Sequence, residues 1–344
     1  MGNRSTVYNK IISKKILDKV LEDNKILGND FLEYLQSVDR SPSTIYQYKR
    51  DLDIFWCWNV TNNNNKPFIK ITKREFAKFQ NHCLNEWGWS PNRIRRVKSC
   101  ISSMSNFIEN ILDEEEEFEG YRSVIKKIES PVKEQVREKT VFEPYELQEL
   151  LDCLVNDGKY NQACMLALAM YSGRRKAELP RFKVSYFDEE NVFLGSLYKT
   201  PEKVKTKGRG ARGKMLNLYV LKKEFDPYLE LWLRERENLG IVSEWLFPSS
   251  SDFEKPMSPA TLDSWAITYT NIIGKEFYWH SLRHFFTTQC LKKNLPSSVV
   301  QEIVGWESAD MVNLYNDTTT EETLSKYFDE NGIKDVEQGS LNNL

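Results

Sequence analysis

Between residues 113 and 139 the regular spacing of apolar side chains found elsewhere in the chain gives way to charge. Asp113-Glu114-Glu115-Glu116-Glu117-Phe118-Glu119 leads into a charge-rich stretch, Lys126 to Lys139, broken by Pro131. Such a segment cannot bury enough apolar surface to join a core and reads as an exposed linker. It divides the chain into two separately folded halves, an arrangement that suits 344 residues better than one compact core.

The first half is helical in pattern from about Gly28 to Asn110. Phe31, Leu32 and Leu35 open one helix, and Ser43-Thr44 caps a second that runs through Ile45, Tyr48, Leu52, Ile54 and Phe55. Thr61 to Asn65 with Lys66-Pro67 forms a loop. A third helix covers Lys73 to Trp87, and a fourth starts at Ser90-Pro91, a capping residue with proline in the first helical position. In the second half, a helix near Glu143-Pro144 carries Leu147, Leu150, Leu151 and Leu154 on one face, and Ala163 to Tyr171 is apolar all round and expected to be buried. Short β-like pieces, Val192-Phe193-Leu194 and Met215 to Val220, flank a Lys/Gly/Arg-rich segment, Lys203 to Lys214. Helical signals return at Phe225 to Arg236 and from Pro259. The expected fold is mainly α with a small antiparallel β-sheet, in two domains.

The formal net charge of −2 gives no overall basic surplus of the kind that favours phosphate binding. Charge is nevertheless segregated: residues 1–110 hold 18 Lys and Arg against 11 Asp and Glu. The six cysteines have no paired short spacing and read as reduced core residues, and the three histidines, His82, His280 and His284, do not fall at zinc-finger spacing. No metal or other cofactor is expected. No run of about eighteen apolar residues occurs and Met1 to Lys15 lacks a leader pattern, so a cytoplasmic location is expected.

Three segments can carry chemistry. Tyr171-Ser172-Gly173-Arg174-Arg175-Lys176-Ala177-Glu178-Leu179 ends a buried helix in a glycine turn, which can hold Arg175 at a pocket edge with Glu178 placed to orient it; taken alone, an exposed Arg/Glu pair on a helix reads as well. In Trp279-His280-Ser281-Leu282-Arg283-His284-Phe285-Phe286, a helix sets His280 and Arg283 on the same side, an imidazole and a guanidinium suited to phosphate binding and proton transfer. In Val299 to Trp306 an amphipathic helix stops at Gly305, and a short helix capped by Ser308 can present Tyr315. As one of 16 tyrosines, Tyr315 has no claim on physics alone.

The order Gly-x-Arg-x-x-Glu-Leu, a lysine on a β-hairpin, His-x-x-Arg-His, Gly-Trp, and Tyr nine residues after that Trp resembles the tyrosine recombinases, the phage integrase and Xer group. Ser41-Pro42-Ser43-Thr44-Ile45 with Tyr48 is similar to the start of that family's core-binding domain, and Trp245-Leu246-Phe247-Pro248 to its Leu-Phe-Pro segment, so the resemblance covers residues 28 to 330. It implies a SAM-like core DNA-binding domain at 28–118 after an extension at 1–27, a linker at 119–139, an α/β catalytic domain at 140–330 and a tail at 331–344.

The same resemblance implies a site-specific recombinase that cleaves and rejoins DNA through a 3′-phosphotyrosyl link without metal or ATP. Tyr315 would attack, Arg175 and Arg283 would hold the phosphate, Lys205 would protonate the leaving 5′ oxygen, and His280 would assist, with Glu178 and His284 as supporting residues. Trp306 stands where the family usually has histidine, and can donate an N–H to phosphate but cannot shuttle a proton. Lys205-Thr206 best matches the family's Lys-Thr turn, with Lys207 as the alternative. DNA contacts are expected from Thr44, Tyr48, Lys49 and Arg50, from Arg93, Arg95, Arg96 and Lys98, and from Lys207, Arg209, Arg212 and Lys214 among glycines. A helical tail bearing Leu324, Tyr327 and Phe328 would dock on a neighbour in a homotetramer on two DNA sites. The alternative is a DNA-binding repressor or accessory protein on the same fold, which would have no need of Tyr315 or of proton donors.

Overall fold

The computed structural model describes residues 11–132, 140–206, 213–306, 308, 310–315, 328–329 and 332–333. They fall into two compact units, the first taking the described residues up to 132 together with Gly213 and the second the rest; residues 119–132, expected as exposed linker, join the first unit, with Ile125 buried in its core. Lys207, Arg209 and Arg212 lie outside the described residues.

The first unit is helical: α1 (Lys14–Leu17), α2 (Glu22–Ser37), α3 (Pro42–Asn62), α4 (Lys73–Asn85) and α5 (Pro91–Ile111). The starts follow local chemistry. Ser41 caps α3 by accepting from the Thr44 N–H, with Pro42 in the first turn. Thr72 and Glu75 form a reciprocal capping box on α4. The core is aromatic, with Phe55 in ring contact with Trp56, Trp58, Phe68, Phe76 and Phe79.

Boundaries differ from the sequence reading: Ser41 rather than Ser43-Thr44 caps α3, α4 ends at Asn85 rather than Trp87, and two further ends shift. Phe31, Leu32 and Leu35 lie in the second half of α2, which begins at Glu22. Its polar first turn hides the helix in sequence, because Asn24 is buried and bonds to the Lys66 carbonyl (2.9 Å) and the Phe68 N–H (2.8 Å). Thr61 and Asn62 complete the last turn of α3 and so do not belong to the loop. Val20 and Leu27 also join this core.

In the second unit, α6 (Pro144–Asn156) packs on α7 (Tyr160–Ser172), which is buried from Ala163 to Met170. A three-stranded antiparallel sheet in the order β1-β2-β5 joins Val192–Phe193, Leu197–Lys199 and Tyr219–Leu221. Leu194, expected to extend β1, has φ 52° and leaves the strand. A separate hairpin pairs β3 (Val204–Thr206) with β4 (Lys214–Leu216). Next come α8 (Lys222–Asn238), the β6–β7 hairpin (Pro248–Ser249 with Asp252–Pro256), α9 (Pro259–Ile273), α10 (Trp279–Lys292), α11 (Ser297–Val304) and α12 (Asp310–Tyr315). Leu246 and Phe247 are fully buried. Phe328, expected on a helical turn, begins strand β8 (Phe328–Asp329), which pairs with β9 (Gly332–Ile333). Leu324 and Tyr327 lie outside the described residues.

Candidate active site

The Arg175 segment is a turn, not a helix. α7 closes at Gly173, whose left-handed φ of 61° reverses the chain. A methyl group there would meet the Phe286 ring of α10 at 2.5 Å, so the loop lies directly on that helix. Arg175 is partly exposed and is held twice by Glu178: its Nη1 donates to Oε1 and its backbone N–H to Oε2, both at 3.1 Å. The Glu178 carboxylate is itself buried. A buried carboxylate with both oxygens engaged fixes the direction of the guanidinium far better than an exposed pair on a helix would.

On α10, His280 and Arg283 do not share an environment. Arg283 is fully buried, whereas His280 is exposed. An i, i+3 step turns only about 60° short of a full revolution, so two such residues can straddle the edge of a buried face, one on each side. The Arg283 guanidinium joins two glycine turns, donating from Nη1 to the Gly173 carbonyl at 2.9 Å and from Nη2 to the Val304 carbonyl at 3.3 Å. Its Cζ lies 4.9 Å from the centre of the Trp306 ring, within cation–π range. Trp306 is buried among Phe286, Cys290, Val300, Val304 and Val312. His284 is also buried, with its ring 5.6 Å from that of His280 and nearly perpendicular to it.

Lys205 lies on β3 opposite Met215, with its side chain exposed and its backbone carbonyl accepting from Arg181 Nη1 at 2.8 Å. The neighbouring pair in the hairpin is Val204 and Leu216, and Leu216 packs on the Gly305 turn, where a methyl group would approach its Cδ1 to 2.5 Å. The hairpin with Lys205 and the turn leading into Trp306 are therefore in contact. α12 starts where Ser308 Oγ accepts from the Asp310 N–H at 3.1 Å, and Tyr315 is its last residue. The described residues thus bring together the Gly173–Glu178 loop, Arg283, Trp306 and the β3–β4 hairpin.

Sequence reasoning missed Arg174. It is 1% exposed, and its guanidinium donates to the carbonyls of Ser172 and Ile303. Spacing gave no signal for it, because Ile303 is 129 positions away. Among the described residues no group of three or more His, Cys, Asp or Glu could hold a metal ion, and no helix is long and apolar enough to cross a membrane.

In the first unit the expected DNA-contacting residues fall on two neighbouring helices. Cys100 Sγ donates to the Tyr48 carbonyl, and Arg96 bonds to Asp51 (2.6 Å) and to Gln47 (3.3 Å), so Thr44 to Arg50 on α3 lies beside Arg93 to Lys98 on α5. Several of these groups have partners within the unit. Arg95 donates to the Pro131 carbonyl at 2.9 Å, and Lys98 to the Ile128 carbonyl and Ser130 Oγ. Arg93 lies 4.0 Å over the Trp89 ring. Tyr48 packs on Phe31, and Thr44 Oγ1 pairs with Ser41 Oγ at 2.8 Å. Lys49 is exposed, Arg50 half-buried and Lys214 half-buried on β4.

Comparison with known proteins bears on this arrangement. Residues 140–322 match the model of the phage integrase family, and residues 27–117 that of the phage integrase N-terminal SAM-like domain. The SPbeta prophage-derived recombinase-like protein YomM of Bacillus subtilis (strain 168) is 30% identical over 285 residues, which is 81% of each chain. Tyrosine recombinase XerS of Lactococcus lactis subsp. lactis is 22% identical, covering 90% of this chain and 97% of the relative. Among solved structures, the fold is similar to XerH site-specific recombinase bound to a palindromic difH substrate in a post-cleavage complex (TM-score 0.62, 17% identity, 89% and 96% of the chains). It is equally similar to a lambda integrase tetramer bound to a Holliday junction (TM-score 0.62, 16% identity, 85% and 77%). The chain belongs to the phage integrase family and is a tyrosine recombinase, an enzyme of site-specific DNA recombination.

Proposed function

We propose that the cleavage site of this recombinase is built from Arg175, Lys205, His280, Arg283, Trp306 and Tyr315, and that it forms a 3′-phosphotyrosyl intermediate. The observation that carries this reading is the bridging guanidinium of Arg283, which bonds to the Gly173 and Val304 carbonyls and lies against the Trp306 ring. It ties the Arg175 loop to the Trp306 loop, which supports reading these separate motifs as one site.

The Tyr315 oxygen attacks phosphorus, a new P–O bond forms on the 3′ side, and the bond to the 5′ oxygen breaks. Lys205 protonates that leaving oxygen, with His280 assisting in proton transfer. Arg175 and Arg283 stabilise the charge that develops on the nonbridging oxygens, and Trp306 adds its indole N–H. Attack by the 5′ hydroxyl of another strand reverses the step, so one ester exchanges for another and no nucleotide cofactor is consumed. Glu178 orients Arg175, and His284 supports His280.

The partner is double-stranded DNA, gripped by the α3–α5 cluster and by the β3–β4 segment with Lys207, Arg209 and Arg212. By similarity to the tetrameric lambda integrase complex, the working form is a homotetramer on two DNA sites, and the protein acts in the cytoplasm on DNA. Selection from random duplexes with the purified chain would supply a bound site. A nicked suicide duplex carrying that site should then give a covalent protein–DNA adduct, absent in Tyr315→Phe. No adduct with the wild-type chain, or an adduct surviving in Tyr315→Phe, overturns the assignment.

A further inference from the structure

A helix of eight residues ends with as many orphan carbonyls as a long one, and α11 accounts for its last four in an unusual way. The Gly305 and Trp306 N–H groups turn back to the Gln301 carbonyl at 2.9 and 3.0 Å, and Gly305 N–H also reaches that of Glu302 at 3.2 Å. The two outermost carbonyls go to side chains from other parts of the fold. Val304 receives Arg283, and Ile303 receives Arg174. A cation at a helix C-terminus also faces the negative end of the helix dipole.

Arg174 and Arg175 are adjacent, yet their side chains leave the loop for different surroundings. Arg175 remains partly exposed, while Arg174 is buried, with its guanidinium donating to the Ser172 and Ile303 carbonyls. Burial pulls its guanidinium down to about 10, with the nearby Glu178 charge acting against that shift, so it stays charged at neutral pH. Enclosing a guanidinium is expensive unless its donors are satisfied, and here one of them goes to a carbonyl three residues before Trp306.

We propose that Arg174 is a positioning residue for strand cleavage: by holding the Ile303 carbonyl it fixes the Gly305–Trp306 turn against the loop that carries Arg175. This rests on the catalytic reading given above. Arg283 ties the same two loops through Gly173 and Val304, so the brace has two guanidiniums, and only Arg283 is assigned to phosphate. Loss of Arg174 leaves the charges of the pocket in place but lets the Trp306 turn drift. Displacements of about 1 Å in such sites slow chemistry on the order of 100-fold.

The test is Arg174→Gln in the full chain, with Arg174→Lys as the conservative variant. On the suicide duplex selected with the wild-type protein, Arg174→Gln should slow single-turnover adduct formation by roughly 10- to 100-fold while the Kd for the same duplex moves less than about twofold, since both Arg174 donors go to backbone carbonyls and the residue is given no phosphate contact. Arg174→Lys, which still has a donor for Ile303, should recover most of the rate. Hydrogen exchange of peptides covering 297–306 should speed up in the Gln variant without DNA present. A folded Arg174→Gln protein that cleaves at the wild-type rate, or one whose rate and DNA affinity fall together, overturns the proposal, as does unchanged exchange at 297–306. If the wild-type chain forms no adduct but the exchange responds, the catalytic reading fails and the brace stands. Should the Gln variant not fold, Arg174→Met, an apolar replacement of similar length, carries the same measurements.

Discussion

Substituting Gly173 with alanine tests how tightly the Arg175 loop is seated on α10. Two costs can be worked out from the geometry. The residue has φ 61°, a left-handed conformation that costs a side-chain-bearing residue about 1–2 kcal/mol. The added methyl would lie 2.5 Å from Phe286 Cδ1 and 2.9 Å from Cγ, and an aromatic ring in a packed cluster cannot swing away as a chain end can. Overpacking of this kind adds about 1–3 kcal/mol, so Gly173→Ala should destabilise the catalytic unit by roughly 2–5 kcal/mol. At about 2–4 °C per kcal/mol for a unit of this size, its unfolding midpoint should drop by on the order of 10 °C. Thermal and urea unfolding of the full chain measures this, and a double-mutant cycle with Phe286→Leu separates the two costs. The smaller, flexible leucine should relieve the steric part, giving a coupling of about 1–3 kcal/mol, and leave the backbone part in place. Additivity within about 0.5 kcal/mol would show that Phe286 is not the obstacle, and a Gly173→Ala protein as stable as wild type would refute the reasoning outright.

Two further predictions concern the helical unit. Glu75 accepts from the Thr72 N–H and hydroxyl and pairs with Lys66, and these bonds, the Lys66 one foremost, hold its carboxyl down at about 2. A depressed folded value means stability that is present above pH ~4.5 and lost as the pH falls towards 2, so Glu75→Gln should be less stable than wild type at pH 6 and nearly equal to it at pH 2; a constant difference across that range contradicts the pairing. Asp51 is fully buried, and burial raises its carboxyl despite the opposing Arg96 charge and bond. Arg96→Met strands that carboxylate at a cost of about 1–3 kcal/mol and should make stability fall as pH rises through the carboxylate range, because a raised folded value favours the neutral form. Arg96→Met with Asp51→Asn should recover most of the loss in urea unfolding, and failure to do so would place the effect elsewhere.

What the sequence made readable followed local rules. Glycine stops at 173 and 305, the Ser90-Pro91 start of α5 and the all-round apolar α7 each depend on neighbours within a few positions. Residues whose partners are remote were harder. Arg95 and Lys98 read as part of a basic row, and nothing in that row shows that they also bond to the carbonyls of Pro131 and Ile128, 36 and 30 positions away. The start of α2 was hidden because Asn24, a poor helix former, is buried there by bonds to a loop more than 40 positions on. His280 and Arg283 were rightly put on one helix, but periodicity alone does not reveal that a surface boundary runs between them.

The departure at Trp306 and the burial of Arg174 have a common logic on the proposed catalytic reading. A histidine at that position could donate to phosphate and also exchange a proton, and it could tolerate some movement by switching between these roles. An indole has a single N–H and no acceptor, so it contributes only when its orientation is right. The fold supplies that orientation from three sides: the apolar cluster around the ring, the Arg283 guanidinium 4.9 Å from its centre, and the carbonyl bonds that hold the helix end leading into it. On that reading proton transfer falls to Lys205 and His280, which lie on elements other than α11 and are exposed. A rigid donor and more accessible proton carriers thus sit on different parts of the scaffold, which makes the Gly305 turn sensitive to packing defects that would leave Lys205 and His280 unaffected.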